Sequence, residues 1–130
     1  MKTETKLIHF SDGIELESGE KLNSFDLIVE TYGELNERKS NAILLCHAFS
    51  GNHHAAGSSK DFGIGWWDQL VGPHKSIDTN KYFVVCCNNL GGCAGSSGPS
   101  SIDSSSQKVF GKSFPQVSVL DWVNSQKMLM

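Results

Sequence analysis

Two short apolar runs constrain this chain most: Ala42 to Cys46 (AILLC) and Lys81 to Cys87 (KYFVVCC), the second apolar throughout after its leading lysine. Each is too short for a helix that closes its own hydrogen bonds. Neither shows the in–out alternation of a strand with one wet face. A strand covered on both sides reads this way, and such strands belong to parallel sheets with helices on both faces. The elements around them agree. Residues 4 to 10 and 13 to 17 are β-like runs around the turn signal Ser11-Asp12-Gly13, and they predict a hairpin. Phe25 to Tyr32 (FDLIVETY) is rich in aromatic and β-branched residues and closes at Gly33. Gly65 to Val71 (GWWDQLV) predicts a short helix. Ser118 followed by Asp121 predicts a capped helix start, with apolar residues at Val119, Leu120, Val123 and Met130 at helical spacing. The order is antiparallel strands, buried strand, loop and helix, then buried strand, loop and helix. It predicts a doubly wound α/β sheet with an antiparallel edge. No internal repeat is present.

Charge and composition narrow the partners. Eleven Lys and Arg against fourteen Asp and Glu give a net charge of −3, and the basic residues are scattered. That argues against nucleic acid or an anionic membrane surface as the main partner. No window approaches the roughly 18 apolar residues needed to cross a bilayer, and the start MKTETKLIHF has no apolar leader core. The four cysteines, Cys46, Cys86, Cys87 and Cys93, lie in or beside apolar segments. Cys86 and Cys87 are adjacent, so along a strand they face opposite ways. This is no disulfide framework, and a reducing cytoplasm is the expected compartment.

Three constellations could carry chemistry. Cys46-His47-Ala48-Phe49-Ser50-Gly51 follows the first buried strand, and in open α/β sheets ligands bind at the carboxyl ends of strands. The alternatives are a turn that presents backbone N–H groups and a plain turn with a buried histidine. Asn52-His53-His54-Ala55-Ala56-Gly57 invites a metal reading. Adjacent histidines seldom converge on one ion, and no HExxH or CxxC accompanies them, so hydrogen-bonded loop histidines are the better reading. Asn88 to Ser101 (NNLGGCAGSSGPSS) is neither GxGxxG nor a P-loop. Cys93 there could serve as a nucleophile, but the sequence marks no base beside it, and a flexible Gly/Ser loop is the plainer reading. No GxSxG nucleophile elbow occurs: Gly95-Ser96-Ser97-Gly98-Pro99 and Gly111-Lys112-Ser113-Phe114-Pro115 both end in Pro.

Taken together, CHAFSGNHHAAG (46–57), the stretch GWWDQLVGPHKSIDTNKYFVVCCNNLGGCAGSSGPSSID (65–103) and Phe114-Pro115 before a helix resemble one family. It is the homoserine O-acetyltransferase family of α/β-hydrolase-fold acyltransferases. The resemblance covers about residues 5 to 130. Phe49 stands where the family has Leu, Ser50 where it has Thr, and Asn52 where Asp is common. The resemblance implies the N-terminal part of an α/β-hydrolase fold, with antiparallel edge strands leading into a parallel sheet. Residues 1–130 would form a partial domain, cut before the nucleophile elbow and lacking the lid and the catalytic half. The Ser, His and Asp of the triad would lie beyond Met130.

The implied activity moves an acetyl or succinyl group from acyl-coenzyme A to the hydroxyl of L-homoserine, through an acyl-serine, in methionine biosynthesis. Phe49 would supply one oxyanion-hole N–H, with His47, Gly51 and the 91–98 loop shaping the site. The partners implied are the two small-molecule substrates, with no nucleic acid and no membrane. Acyl-coenzyme A is a co-substrate, no resident cofactor or metal is expected, and the full-length parent is expected to be a cytoplasmic homodimer. The alternatives are an esterase on the same fold, a serine O-acyltransferase and a non-catalytic fragment. The isolated chain is expected to be inactive and poorly stable, with a raw sheet edge beside Val84.

Overall fold

The computed structural model describes all 130 residues. Ten strands and one α-helix form in chain order: β1 (Thr3–Phe10), β2 (Ile14–Glu15), β3 (Lys21–Leu22), β4 (Phe25–Tyr32), β5 (Ala42–Leu45), β6 (Ser58–Ser59), β7 (Gly63–Ile64), β8 (Val71–Gly72), β9 (Ile77–Asp78), β10 (Phe83–Cys87) and α1 (Val119–Lys127). A 3-10 turn covers Gly111–Ser113. No helix is long and apolar enough to cross a membrane. The chain divides into two compact units: Met1–Lys6 with Val29–Cys87, and Leu7–Ile28 with Asn88–Met130.

The main sheet has the order β1-β4-β10-β5. β10 runs antiparallel to β4, with Val84 opposite Tyr32 and Cys86 opposite Glu30. It runs parallel to β5, with Val84 opposite Ile43 and Cys86 opposite Leu45. Antiparallel strands leading into a parallel pair are what the sequence predicts. The edge is not where it was expected. Val84 is fully buried in the central strand, and β5 is the outer one. This explains the uneven burial of two similar runs: β10 is buried at Val84, Cys86 and Cys87, whereas β5 is buried only at Leu45. The first unit's core gathers Tyr32, Leu45, Ala55, Ala56, Val71, Val84 and Cys86 on one face of the β4-β10-β5 sheet.

Two other expectations are corrected. β2 pairs with β3 rather than with β1. The reversal falls at residues 16–20, where Leu16 N–H donates to Glu20 O and Gly19 N–H to Leu16 O, both at 2.9 Å. Gly65 to Val71 forms turns, not a helix. Asp68 N–H and Leu70 N–H close three-residue turns on Gly65 O and Trp67 O, only Val71 N–H reaches back four residues, to Trp67 O at 3.0 Å, and Val71 already belongs to β8.

In the second unit, Phe10 and Phe25 stack with ring centroids 4.7 Å apart. α1 starts where predicted. The Ser118 hydroxyl accepts from Asp121 N–H, and the Asp121 carboxylate accepts from Ser118 N–H, a complete capping box. Its inward face is the reverse of the expected one. Asp121, Ser125 and Gln126 are buried, while Val119, Leu120 and Val123 are exposed. The buried positions are held by hydrogen bonds: Asp121 Oδ1 accepts from Glu17 N–H at 2.9 Å, and Gln126 Nε2 donates to Asn89 Oδ1 at 2.7 Å.

Candidate functional site

The loop after β5 begins at Cys46, and its tip is a turn closed by Gly51 N–H donating to Ala48 O at 2.8 Å. His47 Nδ1 donates to Ala48 O at 2.7 Å, which fixes the ring along the loop rather than beneath it. Phe49 heads the turn and is 88% exposed. Beside the loop, Trp66 Nε1 donates to Asn52 O at 3.0 Å, and the Trp66 and Trp67 rings sit 5.1 Å apart, tilted. Loop and indoles line a cavity of about 620 Å³.

What holds this loop from behind is a buried segment. Tyr32 in β4 sends its hydroxyl into residues 53–56: it accepts from Ala55 N–H at 2.7 Å and Ala56 N–H at 3.1 Å, and donates to His53 O at 3.4 Å. Burial, and to a lesser degree the nearby Glu30, push the tyrosine's pKa upward, so the hydroxyl stays neutral. The segment then receives the GWW turn. A Cβ on Gly65 would fall 2.3 Å from Ala56 N, so only glycine permits this approach. Asp68 accepts from Gly57 N–H at 2.8 Å and meets Lys75 Nζ at 3.2 Å. These two donors hold the Asp68 carboxyl below the usual carboxylate range. HHAAG and GWWD are thus two halves of one backbone junction.

The paired histidines go separate ways. His54 lies between two acceptors, Nδ1 at 3.0 Å from Glu30 Oε2 and Nε2 at 3.2 Å from Gly63 O. His54 thus bridges a carboxylate and a backbone carbonyl, and the Glu30–His54 contact is buried, with side chains 6% and 5% exposed. His53 packs its ring edge-on to Phe62 at 5.2 Å, and burial, then the His54 and His47 charges, lower its pKa. No three His, Cys, Asp or Glu side chains come together to hold a metal ion.

The long Gly/Ser stretch in the second unit is built, not loose. Ser96 Oγ accepts from Ile28 N–H at 3.0 Å and donates to Asn88 O at 2.6 Å. Ser97 Oγ accepts from Asp26 N–H at 2.8 Å. Ser96, Ser97, Asn88, Asn89 and Leu90 are all buried. Gly95, at φ +110°, brings its backbone against Ile28, where a Cβ would fall 2.8 Å from Cδ1. Cys93 is exposed in this stretch.

The sequence singles out Phe49, and the structure sets it at the tip of the loop beside the cavity. It does not single out Tyr32, Glu30 or Ser96. A signal for the first two was present: a tyrosine and a glutamate inside an otherwise apolar strand need buried partners.

No protein-family model matches the chain. Among curated proteins it is 57% identical over 124 residues to homoserine O-succinyltransferase from Pseudomonas paraeruginosa, covering 94% of this chain and 33% of that protein. The chain therefore spans about a third of the length of the curated relatives it matches. Among solved structures, homoserine O-acetyltransferase from Bacillus anthracis superposes with a TM-score of 0.88 at 36% identity, over 99% of this chain and 36% of that one. Esterase E22 gives 0.87 at 34%, over 98% and 37%. Over the stretch it spans, the chain has the sequence and the α/β-hydrolase fold of the homoserine O-acyltransferase family.

Proposed function

We propose that this chain supplies the oxyanion-hole loop of an acyltransferase that moves an acyl group from acyl-coenzyme A to the hydroxyl of L-homoserine. The serine, histidine and aspartate of that reaction would come from a segment this chain does not include. The observation that carries the reading is the loop His47–Gly51, set at the carboxyl end of β5 with Phe49 at its exposed tip beside a 620 Å³ cavity. A relative at 57% identity is named for the same transfer.

In the proposed cycle the serine oxygen attacks the thioester carbonyl, and the carbonyl oxygen takes up negative charge. The C–S bond then breaks and coenzyme A leaves with the proton held by the histidine. The homoserine hydroxyl gives its proton to the histidine and attacks the acyl-serine; the second oxyanion collapses, the bond from the acyl carbon to the serine oxygen breaks, the histidine returns the proton to the serine, and the ester leaves. Phe49 N–H would meet both oxyanions. One such preorganised donor contributes about 3–4 kcal/mol to the barrier difference. The phenyl ring is exposed and does not line the cavity, which makes the Leu-to-Phe departure tolerable. The reading carries with it a cytoplasmic homodimer in methionine synthesis, with no resident cofactor. It also carries no nucleic-acid or membrane partner. Succinyl and acetyl remain the two donors to compare. Esterase E22, at 34% identity, supports a second reading in which water replaces homoserine.

The test grafts this chain in place of the matching segment of the Pseudomonas relative and measures coenzyme A release from succinyl- and acetyl-coenzyme A with L-homoserine. The graft is expected to turn over. Phe49→Ala keeps the N–H and should fall only modestly. Phe49→Pro removes it, so the rate should fall on the order of a hundredfold or more, with circular dichroism confirming the fold. Two properly folded variants at parental rate would remove Phe49 from the oxyanion hole. Equal coenzyme A release without homoserine would favour the esterase. Turnover by the 130-residue chain alone would move the chemistry to Cys93.

A further inference from the structure

The β5–β10 register sets Leu44 opposite Val85 and Leu45 opposite Cys86. Continued one residue past the last pair of the ladder, the same register would set Cys46 opposite Cys87. Alternation assigns the faces. Ile43, Leu45, Val84 and Cys86 belong to or pack on the first unit's core, so Leu44, Cys46, Val85 and Cys87 share the other face. Neighbouring strands lie about 4.7–4.9 Å apart, inside the Cα separation of about 4.4–6.8 Å that a disulfide spans. No disulfide joins any of the four cysteines. Burial first, and then the neighbouring Cys46, push the Cys87 thiol up to about 12. Access separates the two, since Cys46 is exposed and Cys87 is buried.

We propose that Cys46 and Cys87 form an oxidation site, in which a peroxide converts two neighbouring thiols on one sheet face into a cross-strand disulfide. The exposed Cys46 thiolate attacks the peroxide O–O bond, becomes a sulfenic acid and releases water. The Cys87 sulfur then attacks the Cys46 sulfur. The S–O bond breaks, and its oxygen leaves as water with the Cys87 proton. Two thiols lose two electrons and two hydrogens, and one hydrogen peroxide becomes two waters. Cys86 belongs to the core-facing side of the strand, although it too feels Cys46, so the assignment of Cys87 as the partner rests on strand alternation. The bond would tie the first residue of the loop His47–Gly51 to the central strand. Its regulatory meaning therefore rests on the role proposed for Phe49, whereas the chemistry does not.

The experiment treats the 130-residue chain with hydrogen peroxide, blocks residual thiols with N-ethylmaleimide and reads intact mass. Tandem mass spectrometry of the tryptic peptides then assigns the link. Trypsin separates Cys46, in residues 40–60, from the other three cysteines, in residues 82–108. Loss of two hydrogens is expected in the parent, in Cys86→Ser and in Cys93→Ser, and is expected to vanish in Cys46→Ser and Cys87→Ala. In Cys87→Ala, Cys46 should instead stop at the sulfenic acid and be trapped by dimedone. A Cys46–Cys93 link, a link that survives Cys87→Ala, or Cys46 oxidised singly in the parent would overturn the proposal. Because the readout is covalent mass, it stands whether or not the graft transfers acyl groups.

Discussion

The loops that leave the two parallel strands are built in opposite ways. After β5, residues 46, 48, 49 and 50 face solvent, and what is fixed is the path of the backbone. After β10, Asn88, Asn89 and Leu90 turn inward at once, and Ser96 and Ser97 return to seal backbone amides of β4. In the first loop the side chains at the tip are exposed, while buried groups behind it set its course. In the second, the polar side chains are themselves the structure. An exposed tip on a fixed backbone fits the role proposed for it, and a stretch of buried hydroxyls suits scaffolding.

Substitutions can break that contrast. The largest effect is expected at Glu30→Ala, which leaves the buried His54 ring without its carboxylate partner. Removing one partner of a buried pair costs about 3–5 kcal/mol, to be read from urea titrations. Replacing Glu30 and His54 together with Leu should recover most of it, because neither partner is then orphaned. Next is Tyr32→Phe. It strips the acceptor from two buried amides, so a loss of roughly 2–4 kcal/mol is expected, with faster hydrogen exchange at Ala55 and Ala56.

Ser96→Ala sharpens the comparison from the other side. It orphans Ile28 N–H and one bond to Asn88 O, for about 1–3 kcal/mol. Should it cost nothing, the second loop is not the scaffold described.

A smaller effect comes from acid. Asp68 has a lowered native pKa, because Gly57 N–H and Lys75 favour its charged form. Its contribution is complete above the unfolded value of about 3.9 and fades as pH falls through the lower native one. An acid titration of Asp68→Asn should therefore lose less stability below pH 4 than the parent. Smallest of all is Phe49→Ala on stability. A ring 88% exposed should move it by no more than about 0.5 kcal/mol. A large change would mean the tip is held by its side chain, and the contrast between the loops would collapse.

Legibility in the sequence followed the range of the interaction. The runs AILLC and KYFVVCC, the strand FDLIVETY and the Ser118–Asp121 cap are local signals, and each produced its element. Pairing is not local. That Ile14 meets Leu22 depends on the tight reversal at residues 16–20, and that β5 rather than β10 lies outermost depends on strand order, which no short run encodes. α1 misled because apolar spacing was taken to mark the inward face. Asp121, Ser125 and Gln126 won that face by hydrogen bonding. Ser96 and Ser97 carry no local mark at all, since a serine reads alike in a loose loop and in a buried one. Phe49 stands out only through its motif, and no local mark names the partners of Tyr32, which lie about twenty residues away.

The Asp121 carboxylate has a consequence in time. It accepts from Ser118 N–H within its own helix and from Glu17 N–H, 104 residues earlier in the chain. As the ribosome delivers the polypeptide from its start, Glu17 emerges long before the group that will satisfy it. Most of the sheet strands can associate while the second unit waits. Only when α1 has cleared the exit tunnel can the turn between β2 and β3 be sealed. A closure across 104 residues is slow in loop-entropy terms. Sealing of that turn therefore waits on α1, and a ribosome stalled before α1 emerges would leave it open.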